Sequence, residues 1–232
     1  MIEVILVEPR RQENLGAIAR AMKNFSFGRL ILIEPKCKAG VIARKVAKHA
    51  QDVLKKSKIK NFSYIKNLDY AIGTTSKLGT DYNIPRNPID VQQFSELIAK
   101  TDYNNLKIGI LIGREDIGLK NEEINLCDIL VTIPSSKKYP TMNVSHAVSI
   151  ILYELFKKIG KDKLNSHINF ATKKEKEIIL KYVDDVLDKM EFSTKEKKDT
   201  QRKVWKRVIG KAMLTKREAF AVMGFFRKML RE

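Results

Sequence analysis

Short apolar runs alternate with amphipathic stretches over the first 160 residues. Residues 2–7 (IEVILV), 29–34 (RLILIE), 107–113 (KIGILIG) and 129–134 (ILVTIP) read as buried strands. Residues 69–75 (DYAIGTT) hold a shorter strand that ends in small polar residues. Between them, residues 16–25 read as a helix with Ile18, Met22 and Phe25 at helical spacing, and residues 41–50 and 94–100 read as two more. Continuous apolar strands need cover on both faces. The alternation therefore predicts an α/β fold, with a mostly parallel sheet flanked by helices. The clearest period lies in residues 144–159, where Val144, Ala147, Val148, Ile151, Leu152, Leu155 and Phe156 form one wide stripe. Such a stripe must be buried against the sheet, a second subunit, or both.

The pattern changes near residue 160. Residues 161–172 are polar and charge-rich and read as a linker. Residues 173–232 read as two or three helices, with a weak cap at Thr194 and a capping box from Thr215 to Glu218. The expected organisation is one domain over 1–160, the linker, and a small basic helical extension over 173–232.

Charge adds a partner class. The 232 residues carry 45 Lys and Arg against 27 Asp and Glu, a net charge of +18. Residues 200–232 alone hold ten basic and two acidic side chains. A basic excess concentrated in one segment points to a polyanion, because phosphate contacts release condensed counterions. Cys37 and Cys127 stand far apart and outside any CxxC pattern, so neither a disulfide framework nor a metal site is expected. The opening MIEVILVEPRR lacks the features of a signal peptide, and no apolar run reaches membrane-spanning length; a cytoplasmic protein without membrane association is expected.

The familiar nucleotide motifs fail. No GxGxxG follows a strand, and in GREDIGLK (113–120) Leu119 stands where a P-loop carries lysine. Three other segments carry candidate chemistry. In 13–25, Asn14 can cap a helix, Gly16 allows close backbone approach, and Arg20 is expected one turn into the helix near the carboxyl end of the first strand, where ligands bind open α/β sheets. In 111–128, Arg114, Glu115 and Asp116 lie between Gly113, at a strand end, and Gly118, in a tight turn. In 129–148, Asn143 and Ser145 sit at a helix N-terminus, which presents free N–H groups. Each has a plainer reading: a surface arginine, a capping carboxylate, ordinary helix capping. His49, His146 and His167 have no evident partners, and Trp205 is more readily a core residue than a stacking one.

At these three segments, in this order and spacing, the sequence resembles the SPOUT superfamily of RNA methyltransferases, in its branch of tRNA and rRNA ribose 2′-O-methyltransferases. The tail over 203–230 more loosely resembles the extension of TrmJ-type tRNA enzymes. The resemblance implies a deep trefoil knot over about 107–155 that holds S-adenosylmethionine, with S-adenosylhomocysteine as product. It implies a cofactor pocket of Thr74, Thr75, Ser76, Ile112, Gly113, Ile133, Thr141, Met142 and Asn143. It implies Arg20 as the catalytic group, with Asn14, Glu115, Asn143 and Ser145 at the other polar positions. It also implies a homodimer, with Arg202, Lys203, Lys206, Arg207, Lys211 and Arg217 of the tail gripping RNA.

The sequence departs from the family pattern in three places. Thr141-Met142-Asn143 replaces the usual serine-leucine-asparagine, Lys137 and Lys138 precede it, and Lys77 stands where a short polar or basic segment is usual. The expected activity is 2′-O-methylation of tRNA, at position 32 of the anticodon loop. Ribosomal RNA is the alternative target. An inactive knotted RNA-binding protein is the alternative class, against which the joint presence of Asn14, Arg20, Glu115 and Asn143 argues.

Overall fold

The computed structural model describes residues 1–76, 87–160 and 169–231. Lys77, His167 and residues 161–168 of the expected linker lie outside them. The chain divides into two compact units, Met1–Leu164 and Asn165–Glu232.

The first unit is built on a seven-stranded, all-parallel sheet: β1 (Ile2–Val7), β2 (Leu30–Ile33), β3 (Lys58–Lys60), β4 (Tyr70–Thr74), β5 (Ile89–Asp90), β6 (Ile108–Ile112) and β7 (Ile129–Thr132), in the order β3-β2-β1-β6-β4-β7-β5. The expected apolar runs occupy its middle. Strands β1, β2 and β6 are buried almost throughout, as two covered faces require. The pattern did not disclose β3 and β5, which form the two edges. Lys58–Lys60 reads KIK with all three residues exposed, and lysines on an edge deter further pairing.

The helices of this unit are α1 (Gln12–Asn24), α2 (Val41–Ala47), α3 (Gln51–Lys55), α4 (Val91–Ala99), α5 (Asn121–Ile124) and α6 (Val144–Ile159). Helix α6 matches its apolar stripe end to end. Its Val148, Ile151, Leu152 and Leu155 are buried, and it packs on α1 and α4. Most of the stripe is thus covered within the chain itself, while Val144, Ala147 and Phe156 stay half-buried.

Helix α1 begins four residues before the apolar period suggests. Arg11, not Asn14, is its N-cap, and no local side chain caps it. Gly16 serves helix packing: a Cβ there would stand 2.3 Å from the carbonyl oxygen of Ala43 in α2. Helix α4 starts at Val91 because Asp90 and Gln93 form a reciprocal capping box.

The second unit holds three helices, α7 (Lys173–Lys189), α8 (Lys195–Lys211) and α9 (Lys216–Met229). The capping box of Thr215 and Glu218 forms, Thr194 accepts from the Lys197 N–H at 3.3 Å, and a third cap, Thr172 with Glu175, starts α7. Ala171, Ile179, Val183, Leu187, Ile209, Ala219, Met223 and Phe226 make its core. Trp205 stands edge-on to Phe226, with ring centres 5.5 Å apart, so it is a packing residue.

Candidate active site

All seven strands run parallel, so their carboxyl ends share one edge of the sheet, the usual ligand edge of open α/β folds. A cavity of about 260 Å³ opens there. Its walls come from the ends of β4, β6 and β7, the approach to α6, and the first turns of that helix. Thr74, Thr75, Ser76, Ile112, Gly113, Ile133, Thr141 and Met142 all line it, although up to 68 positions separate them in the chain. Asn143 does not line it; its amide turns away, as described below.

The lining is mainly apolar: Ile112, Ile133, Met142, Val144, Ala147 and Ile151. The Thr74 hydroxyl donates to the Leu111 carbonyl (2.9 Å) and keeps acceptor capacity of its own. Among the described lining residues, Glu115 and Asp116 are acidic and Arg114 is basic; Asp116 is paired with Arg10 (2.5 Å). A site with this balance suits a cationic or neutral ligand with a flat apolar part.

The loop after β6 is tightly closed. The Arg114 N–H donates to the Gly118 carbonyl (3.2 Å), and the Gly118 N–H returns to the Arg114 carbonyl (3.0 Å). Gly118 has φ +69°, and a Cβ at Gly113 would lie 2.2 Å from the Gly118 carbonyl carbon. Two glycines therefore allow the chain to turn back against its own backbone.

Arg114 anchors this loop. Its side chain is only 2 % exposed and is held by two carboxylates. Glu8 takes its Nε (3.1 Å) and one terminal nitrogen (2.9 Å), while Glu123 takes both terminal nitrogens (3.0 and 2.8 Å). Hydrogen bonding to Arg114 pulls the Glu8 carboxyl down to about 2 and raises Arg114 above its ordinary value. Glu8 has φ +45°, a left-handed backbone that a non-glycine residue adopts only when its surroundings impose it. No motif along the chain marks Glu8 or Glu123. For Glu8, a charged residue directly after the buried strand β1 is the one local signal.

The other polar residues form one chain of hydrogen bonds. The Glu115 carboxylate accepts from the backbone N–H groups of Arg10 and Arg11 and from the Asn14 amide (3.2 Å). It thereby places a negative charge at the N-terminus of α1 from more than a hundred residues away. The Asn14 oxygen accepts from the Asn143 amide nitrogen (3.2 Å). The Asn143 oxygen accepts from the Ser145 N–H (2.9 Å) and hydroxyl (2.7 Å) and so caps α6. A carboxylate can only accept and a backbone N–H can only donate, so both amide orientations are fixed. Glu115, Asn14, Asn143 and Ser145 thus lock the loop after β6, α1 and α6 together beside the cavity.

Arg20 stands apart. It is the ninth residue of α1, past the second turn, exposed, and not on the cavity wall. It shares a helix face with Ala17 and Glu13.

The tail cations divide into groups. Arg202 is engaged by Asp184 (3.0 Å), Asp188 (3.1 Å) and Asp199 (3.1 Å). Burial, then the charge of Arg207, lowers the Lys211 ammonium below its ordinary value. Lys203, Lys206 and Arg217 are exposed.

The model of the SpoU rRNA methylase family matches residues 1–153. A curated relative from Methanocaldococcus jannaschii, named tRNA (cytidine-2′-O-)-methyltransferase TrmJ, is 39 % identical over 230 residues, covering 98 % of this chain and 99 % of its own. The crystal structure of TrmJ from Z. mobilis ZM4 superposes with a TM-score of 0.69 at 23 % identity, covering 99 % of each chain. The SpoU methyltransferase AviRb from Streptomyces viridochromogenes, solved in complex with the cofactor AdoMet, gives a TM-score of 0.55 at 20 % identity, covering 70 % of this chain and 61 % of that one.

Proposed function

The chain belongs to the SpoU rRNA methylase family, and on that premise we propose that it transfers a methyl group from S-adenosylmethionine to a ribose 2′-hydroxyl of tRNA. The observation that carries this reading is the full-length match to a tRNA cytidine 2′-O-methyltransferase, extension included. A cytidine at position 32 of the anticodon loop is the proposed acceptor, supported by the likeness of the tail to TrmJ-type enzymes.

The residues present fit the donor. The apolar walls and bare glycine backbone of the cavity offer a slot for an adenine ring, which needs few directional bonds. The Glu115 carboxylate gives the wall the sign that a sulfonium and an α-ammonium require, while Asp116 is paired with Arg10. We assign Thr74, Thr75, Ser76, Ile112, Gly113, Ile133, Thr141 and Met142 to this pocket, and Asn143 to its support. We also assign a trefoil knot to residues 107–155. The parallel strand β7, inserted between β4 and β5, and the closed loop 113–118 are in keeping with it.

S-adenosylmethionine supplies an electrophilic methyl group on a sulfur that leaves readily. The protein therefore has to align the ribose oxygen and assist the loss of one proton. Arg20 is a poor proton acceptor, since a guanidinium stays charged. Exposed and outside the cavity, it serves to hold a phosphate beside the target ribose and so orient the hydroxyl. Glu115, Asn14, Asn143 and Ser145 position the cavity wall. A homodimer is proposed on the face of α6 that the fold leaves open around Tyr153, which is 47 % exposed and tilted against Phe25.

The test is a tRNA transcript carrying cytidine at position 32, compared with the same RNA carrying 2′-deoxycytidine there. Methyl incorporation is expected to fall to background on the deoxy RNA. Undiminished incorporation would remove position 32 from the reading.

A further inference from the structure

Helix α9 exposes a face that packing inside the second unit does not explain. Arg217, Phe220, Gly224 and Lys228 follow one another at spacings of three or four, so they lie along one side of the helix. Phe220 is 61 % exposed. Gly224 sits in the helix interior, where glycine is destabilising relative to alanine, yet a Cβ there would meet nothing within 4 Å. No contact among the described residues calls for that glycine. The carboxylate of α9 itself, Glu218, is turned to the Thr215 N–H that it caps. The core side of the helix is already occupied by Ala219, Met223 and Phe226.

We propose that this face binds a single-stranded stretch of RNA, with a base stacked on Phe220 over the bare backbone at Gly224 and flanking phosphates held by Arg217 and Lys228. The proposal rests on the tRNA reading above and names the surface of the tail that makes the contact. Charge decides the occupant: the stripe carries two cations, Arg217 and Lys228, and no acid, with Lys216 beside it, which complements a phosphate backbone. An exposed aromatic among cations is how sequence-tolerant single-strand binding is built. It also moves the contact away from Arg202 on α8, whose guanidinium is already engaged by three aspartates.

The experiment measures affinity of the full chain for an unmethylated tRNA transcript by fluorescence anisotropy over a salt series. Phe220→Ala is expected to weaken binding about tenfold, while Phe220→Tyr stays within about twofold. Gly224→Leu should favour the helix, so its melting temperature is expected to hold or rise while affinity falls about tenfold. Lys228→Gln should lower the salt slope by about one.

Wild-type affinity in both Phe220→Ala and Gly224→Leu would overturn the proposal. So would a change in sedimentation mass without a change in RNA affinity, which would assign the face to a second copy of the chain. If the wild type binds tRNA through this face but transfers no methyl group, the enzymatic reading fails and the surface stands. If it methylates tRNA and the variants bind normally, the surface alone fails.

Discussion

At the scale of single residues, the cavity wall depends on a buried cation and the carboxylates that neutralise it. Arg114 cannot be left alone in the interior, because removing one partner of a buried pair leaves an uncompensated charge. Glu8 is the partner whose titration exposes this. Its carboxyl is depressed to about 2 in the folded protein, against an ordinary value of 4.5. A depressed acid stabilises the fold above its unfolded pKa and loses that contribution as pH falls through the folded one. Stability should therefore decline between about pH 4.5 and 2. Glu8→Gln should lower neutral-pH stability by about 2 kcal/mol and flatten that acid limb, measured by thermal melts from pH 7 to 3. An acid limb unchanged by the substitution would contradict the assignment. Glu115 acts differently. Its oxygens receive three N–H groups from Arg10, Arg11 and Asn14, so it holds α1 in place.

At the scale of elements, the loop between β6 and α5 has two glycines with different duties. Gly113 is crowded by backbone, whereas Gly118 has open space and a left-handed φ. Gly113→Ala should cost about 3 kcal/mol or more and abolish donor binding, since backbone atoms must move. Gly118→Ala should cost only about 1 kcal/mol, the strain of one left-handed residue. Denaturant unfolding checks both, and equal costs would contradict the loop geometry.

The same elements show what the sequence discloses. Strand β1 and helix α6 keep their expected bounds because burial imposes a period on their residues. Helix α1 starts early at a point where Glu115, from a distant loop, holds the Arg10 and Arg11 N–H groups, and local pattern carries no trace of it. Strands β3 and β5 are edges with little or no buried surface, so no apolar run marks them. The cavity residues became legible through the family resemblance, since Thr74, Gly113 and Thr141 have no local signature in common. The chain from Glu115 to Ser145 was visible as residue types but not as contacts, because each link joins separate segments. Of the tail cations, the pattern could not tell Arg202, bound by aspartates, from Arg217, which is exposed.

At the scale of the molecule, two units divide the work. The first carries the ligand edge of a parallel sheet, with an apolar and mildly acidic cavity suited to a sulfonium donor. The second is a three-helix unit whose core is complete and whose outer faces carry much of the +18 charge. No helix among the described residues is long and apolar enough to cross a membrane. A neutral-to-acidic donor pocket in a strongly basic chain fits an enzyme whose large substrate is a polyanion and whose small one is a cation.

The most direct test of that account uses methyl-labelled S-adenosylmethionine with separate pools of tRNA and ribosomal RNA, followed by alkaline hydrolysis. A 2′-O-methyl group blocks cleavage of the adjacent phosphodiester. The account predicts label in the tRNA pool, recovered in alkali-resistant dinucleotides. Label on a base, label confined to ribosomal RNA, or no label at all would contradict it.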